Sequence, residues 1–149
     1  MTKAYFINNK MRYLLDTCVV MNMIAEPDRL CPDVEALIDD YDNILCISVE
    51  TLREMIVAFN NKGLASKRWK TSSDMIQSLV DEYNLAVLPL KTEHMKTYAR
   101  LQLNEAMGHK DPSDHVIISQ AITEHLPLVS SDTRFPFYRE QGLDLVENR

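Results

Sequence analysis

Apolar positions along the chain come in two kinds, short continuous runs and runs spaced by three and four. The two kinds alternate. Met11-Arg12-Tyr13-Leu14-Leu15-Asp16 reads as a buried strand ending in an acid, and Val19, Val20, Met23 and Ile24 then continue at helical spacing to about Ala25. Pro27 and Pro32 bracket a loop. Pro32 suits the first turn of a helix running to about Tyr41, and Asn43 turns the chain into a second buried strand, Ile44-Leu45-Cys46-Ile47-Ser48. Ser48 can cap a helix from Val49 to Asn60 with Val49, Leu52, Met55, Ile56 and Phe59 on its apolar face. Glu50 and Glu54, four apart, share a stripe on the other side. The pattern next predicts a helix from about Trp69 to Tyr83, a strand from Ala86 to Leu90, and a helix capped by Thr92 that runs to about Met107.

The stretch from Asp111 to Phe135 organises the rest. Asp111 before Pro112 marks a helix start, with Pro at a position where its missing N–H is no loss. From Asp114, the residues Ile117, Ile118 and Ala121 fall at i+3, i+4 and i+7, so a carboxylate begins the stripe that faces the core. Burying an ionised carboxylate is costly without a partner or a cation. A strand Leu128-Val129-Ser130 follows, then Asp132, a short turn-like helix from Phe135 to Gln141, and a last strand from Leu143 to Val146.

Strands alternate with helices, and no hairpin signal interrupts them. That predicts an α/β fold, one domain over residues 1–149, with a central parallel sheet flanked by helices on both faces. Ligands of such sheets gather beyond the carboxyl ends of the strands. Asp16 and Asp132 stand there, and the helices carrying Glu54 and Asp114 can begin at the same edge.

Composition narrows the function. The formal net charge of −6 argues against a protein coated in basic residues for tight nucleic-acid binding, yet carboxylates clustered around a cation inflate the acid count of a nucleic-acid enzyme. No apolar run approaches the ~20 residues needed to span a bilayer, so no membrane partner is expected. Residues 1–10 are polar, lack the apolar core of a signal peptide, and read as a tail that adds an edge or stays mobile. Cys18, Cys31 and Cys46 are odd in number and show no CxxC spacing; Cys18 and Cys46 read as small buried hydrophobes, and a reducing cytoplasm is the simplest compartment.

Four acids carry the chemistry: Asp16, Glu54, Asp114 and Asp132. Hard cations such as Mg²⁺ and Mn²⁺ take oxygen ligands, and acids crowded together without one would repel and raise one another's pKa. Each acid alone has a plainer reading. Asp16 can cap its helix, Glu54 can sit in solvent beside Arg53, Asp114 can complement the helix dipole, and Asp132 can close an Asx turn. Their joint placement is the argument.

The pattern Leu14-Leu15-Asp16-Thr17, Ile47-Ser48-x-x-Thr51-x-x-Glu54, His109-Lys110-Asp111-Pro112-Ser113-Asp114 with Ile117, Ile118 and Ala121, and Leu128-Val129-Ser130-x-Asp132-x-x-Phe135 resembles the PIN domain, in particular the small VapC-type toxins, over about residues 11–140. The resemblance implies a Mg²⁺- or Mn²⁺-dependent endoribonuclease whose acids are Asp16, Glu54, Asp114 and Asp132. Thr17 would match the hydroxyl residue beside the first acid and Ser130 the one before the last. It also implies an antitoxin partner, a homodimer, and a product with a 5′-phosphate and a free 3′-hydroxyl. Ser113 and His115 stand where the family often has an aromatic residue and Arg. Asp111 reads as a helix cap whose charge can reach the site, and Glu50 is a rival to Glu54 with poorer spacing to Ser48. Two alternatives keep the fold: an RNA-processing nuclease without an antitoxin, and a PIN-like binding module without turnover. A haloacid-dehalogenase-like phosphatase is disfavoured because Cys18 stands where a second Asp is needed.

Other features read as structural. Lys62, Lys67, Arg68 and Lys70 around Trp69 suggest either an RNA-contacting arm or, preferred here, a solvated loop in which Trp69 anchors the next helix. His94, His109, His115 and His125 share no metal-ligand spacing and read as ordinary surface histidines. Met and Ile on the helices from Val19 to Ala25 and Val34 to Ile38 offer a groove for a partner.

Overall fold

In the computed structural model, which describes residues 11–61 and 68–149, five strands form one wholly parallel sheet in the order β3-β2-β1-β4-β5. They are β1 (Arg12–Leu15), β2 (Ile44–Ser48), β3 (Ala86–Leu88), β4 (Leu128–Ser130) and β5 (Leu145–Glu147). The helices between them are α1 (Thr17–Ala25), α2 (Pro32–Asp39), α3 (Val49–Asn60), α4 (Ser72–Asp81), α5 (Thr92–Arg100) and α6 (Pro112–Glu124), with 3₁₀ turns at Pro27–Arg29, Glu105–Met107 and Phe135–Gln141.

Leu14 and Leu15 show how the sheet divides the core. Leu14 pairs in register with Cys46 and Leu128, Leu15 with Ile47 and Val129, and successive residues of a strand face opposite ways. Leu15, Ile47 and Val129 accordingly pack with Val19, Val20, Val34, Met55 and Leu79 under α1–α4. Leu14, Cys46 and Leu128 pack with Ile117, Ile118, Phe135 and Tyr138 under α6 and the last 3₁₀ turn. Each fully buried leucine contributes roughly 1.5–3 kcal/mol through removal of apolar surface from water. With helices on both faces, a strand of this sheet has to be apolar throughout, which explains the continuous runs in β1 and β2.

The chain winds from β1 outward to β2 and β3, then returns to lay β4 on the other side of β1. The carboxyl ends of β1 and β4 therefore flank the point where strand order reverses, the place where an open sheet leaves a crevice. Asp16 and Ser130 stand there.

Several boundaries differ from the sequence expectation. The helix begun near Thr92 stops at Arg100 rather than Met107. Asn104 draws the chain away: its backbone N–H donates to Tyr138 Oη, its side chain donates to the Arg134 carbonyl, and its Oδ1 caps the 3₁₀ turn that ends at Gly108 in the left-handed region. The cap position of α5 is Lys91 rather than Thr92, its N–H donating to His94 Nδ1. Thr71, not Trp69, opens α4, accepting from the Asp74 N–H. Trp69 is 7% exposed and lies in the core, its indole covered by the Arg68 guanidinium. The anchoring reading holds for Trp69; Lys62 and Lys67, and the tail 1–10, lie outside the described residues. Among the described residues no helix is long and apolar enough to cross a membrane.

Candidate active site

Asp16 ends β1 and caps α1, so its two plausible roles coincide. Oδ1 accepts from the Thr17 N–H, while Oδ2 accepts from Ser130 Oγ at 2.7 Å across the β1–β4 junction and from the Cys18 thiol at 3.3 Å. Burial, opposed by the Ser130 bond and reinforced by the charge of Asp114, pushes its pKa up to about 6. Cys18 is only partly buried and bonds to this carboxyl, so it is more than a packing residue; burial and Asp16 push its thiol up to about 12.

Glu54 projects from α3, which Ser48 caps by accepting from the Glu50 N–H. A hydroxyl chain fixes it. Thr17 Oγ1 donates to Glu54 Oε1 at 2.8 Å, and Thr51 Oγ1 lies 2.9 Å from Thr17 Oγ1, placed to donate to it. Burial raises the Glu54 pKa, and the charges of Asp111, Asp16 and Glu50 add to it against the Thr17 bond. Glu50 is engaged elsewhere: its Oε1 takes the Arg53 guanidinium and Ser113 Oγ, and Arg53 also reaches Ser113 Oγ at 2.6 Å. The geometry thus sets Glu54, rather than Glu50, against Thr17.

Asp114 stands in the first turn of α6, whose cap is Asp111, accepting from the Ser113 N–H. Asp114 is 9% exposed. Burial, then the charges of Asp111, Asp132 and Glu54, push its pKa up to about 7 against the pull of Arg134. Asp132 follows β4 by an Asx turn, its N–H donating to Ser130 Oγ and its Oδ1 accepting from the Arg134 N–H. The Arg134 side chain grips it with two further bonds, at 3.0 and 2.7 Å, and lies 3.6 Å from Asp114. Burial raises the Asp132 pKa, but Arg134 and His109 outweigh it and the net shift is downward.

The structure brings ligand atoms of Asp114, Asp132 and His109 within 4.8 Å of one another. Asp16 and Glu54 are outside that tight group, but each carboxyl's ionisation is made harder by another acid of the set. Asp111, exposed on its own, acts on the site through its charge. His109 and His115 correct the sequence reading. Both are 1% exposed, and His94 is wholly buried, bonded to Glu124. His109 sits between Asp114 and Tyr138, and burial together with Arg134 lowers its pKa. Arg134 was also missed; its place two residues after Asp132 is the signal that an Asx turn would fold a cation back onto the acid.

Asp16, Glu54 and Asp114 resist ionisation, and Arg134 compensates chiefly Asp132. The oxygens of Asp114 and Asp132, close to each other and to His109, could hold a metal ion. A family model described as the PIN domain matches residues 13–140.

The chain belongs to the PIN domain family.

As a PIN domain it shares its fold with chains of known structure. The crystal structure of VapBC2 from Rickettsia felis bound to a promoter DNA fragment contains a chain 23% identical with a TM-score of 0.68, the alignment covering 92% of this chain and 98% of that one. DNA-bound VapBC from Salmonella typhimurium gives 22% identity and a TM-score of 0.66, covering 93% and 99%. VapBC-5 from Mycobacterium tuberculosis, described as a member of a family of toxin-antitoxin systems, gives 23% and 0.61, covering 93% and 98%. No curated protein sequence matches the chain significantly.

Proposed function

We propose that this PIN domain is a Mg²⁺- or Mn²⁺-dependent endoribonuclease that acts as the toxin of a toxin-antitoxin pair in the cytoplasm. One observation carries the reading. Asp16 and Asp114, from separate elements, are buried within reach of each other's charge at the sheet's switch point, an arrangement that a divalent cation turns from repulsive to favourable.

Asp16, Glu54, Asp114 and Asp132 would hold the cation. When bound, it lowers the pKa of a coordinated water and offsets charge building on the scissile phosphate. The chain's own residues prepare the edge. Ser130 ties the Asp16 carboxyl to β4 and thereby joins the two strands at the crevice. Thr51 and Thr17 hold Glu54 in place from α3 and α1. Arg53, more than half exposed at the rim and anchored on Glu50 and Ser113, offers its outer face to an RNA phosphate. His115 stands beneath that rim, buried, where its ring cannot touch RNA.

Similarity to VapBC complexes supports an antitoxin partner. A hollow lined by Met23, Leu30, Ile38 and Tyr83 together with Asp28, Glu35 and Asp39 offers such a peptide a seat of mixed apolar and acidic character. A homodimer is part of the same reading.

The test is cleavage of total RNA by the purified chain with Mg²⁺, Mn²⁺ or EDTA. Cleavage that stops in EDTA is expected, and D16N and D114N should each lower the rate roughly 10²-fold or more, the loss typical of removing an electrostatic stabiliser. A chain that binds RNA without cutting it would be a silent binding module. Cleavage without growth arrest on expression would indicate a processing nuclease that needs no antitoxin.

A further inference from the structure

We propose that His109 is a positioning residue, a buried imidazole locked in the Nε2–H tautomer that holds one oxygen of Asp114 and is itself barred from ligating the cation. What Asp114 is held for rests on the nuclease reading; the tautomer does not.

The side chain of His109 is fully buried. Its Nε2 lies 2.9 Å from Asp114 Oδ2 and its Nδ1 lies 2.9 Å from Tyr138 Oη. The Tyr138 oxygen already accepts the backbone N–H of Asn104 at 3.0 Å. A phenol has one proton to give. If Nδ1–H donated to it as well, Oη would receive two N–H groups, and its own proton would need an acceptor beyond these bonds. Donation from Oη to Nδ1 satisfies every group. The one proton of the neutral ring then sits on Nε2, facing Asp114 Oδ2, which accepts it once that carboxyl is ionised.

The ring is held as well as protonated. It packs edge-on against His115 and Tyr138 and lies against Phe135. His115 Nε2 donates to the His109 carbonyl, fixing the backbone beneath the ring. Asn104, at the head of the relay, also binds the Arg134 carbonyl, so the same network reaches the segment carrying Asp132.

This assignment changes what the site selects. His109, Asp114 and Asp132 together resemble the nitrogen-and-oxygen set of a zinc or iron centre. With a proton on the facing nitrogen, only carboxylate oxygens remain, and the site favours a hard cation. Outer hydrogen bonds of this kind fix the orientation of a ligand.

The experiment is ¹⁵N NMR of the full chain labelled at histidine, metal-free at about pH 8, where free imidazole is neutral, and then with saturating Mg²⁺. The expected spectrum shows His109 protonated at Nε2 and bare at Nδ1 in both states. A proton on Nδ1, or loss of the Nε2 proton as Mg²⁺ binds, overturns the proposal. H109Q retains a donor toward Asp114 but offers the cation no nitrogen lone pair. By Mn²⁺ titration followed by EPR, H109Q should bind within about threefold of the wild type and H109A about 10–100-fold more weakly. Equal losses in the two variants, or a wild type that binds neither ion, also overturn it. Neither measurement reads RNA cleavage, so a chain that cuts no RNA would defeat the nuclease reading and leave the tautomer standing.

Discussion

Asp114 and Asp16 hold their protons to about pH 7 and about pH 6, against an ordinary value of 3.8. The folded chain therefore keeps protons that the unfolded chain has released, and the metal-free protein loses stability as pH rises from about 4 to 7. The D114N variant removes one of these ionisations. In urea titrations of the metal-free protein it should gain on the order of 1–3 kcal/mol at about pH 8 and almost nothing at about pH 3, below the ordinary carboxylate range. A variant as stable as the wild type at both pH values would contradict the burial argument. Cation binding runs the other way, because the ligands must shed those protons. Calorimetry in buffers of different ionisation enthalpy should find Mg²⁺ binding coupled to proton release below about pH 7, with the release fading above it. At this scale Asp16, Asp114 and Asp132 stood out because a carboxylate at a strand end, or on the apolar stripe of a helix, is out of place by its own chemistry; Glu54, opposite the apolar face of its helix, was marked only by the spacing of the family resemblance. His109 and Arg134 did not stand out. Their importance depends on Tyr138, 29 residues further on, and on the backbone turn after Ser130, neither of which a residue type announces.

Between elements, the contact that most directly shapes the site joins α1 to α3 through Thr51, Thr17 and Glu54. Replacing Thr17 by Val keeps the shape and deletes the hydroxyl, leaving a partly buried carboxyl without its donor. Urea unfolding should show a loss of about 1–3 kcal/mol, and the T17V/T51V double variant should lose less than the two single changes summed, since both act on one chain of bonds. Full additivity would mean that the hydroxyls act separately. Most elements were readable from spacing and caps, as with Ser48 before α3 and Asp111 before α6. The end of α5 was not. Leu101 and Leu103 continue an apolar pattern, but Asn104 binds Tyr138 and Arg134 at once, and those tertiary bonds outweigh another turn of helix.

For the molecule as a whole, the crevice is a property of strand order. Alternating helices and strands identified a parallel sheet, and continuous apolar strands showed that both faces would be covered. The placement of β4 beside β1 was beyond any local pattern, because apolar period says which face a residue takes and not which neighbour its strand chooses. A cation bound across that junction should stabilise the entire fold: at a hundredfold excess over Kd, about 2.7 kcal/mol, seen as a rise in Tm that EDTA reverses. Loss of that rise in both D16N and D114N would tie it to the crevice, and its persistence in both would locate the ion elsewhere. The bond from Ser130 to Asp16 spans 114 residues of chain, which has a consequence for biosynthesis. The first acid leaves the ribosome long before the strand that completes its surroundings. A nascent polypeptide therefore cannot close the β1–β4 junction until Ser130 has been made, and a fragment released before then carries Asp16 without that partner.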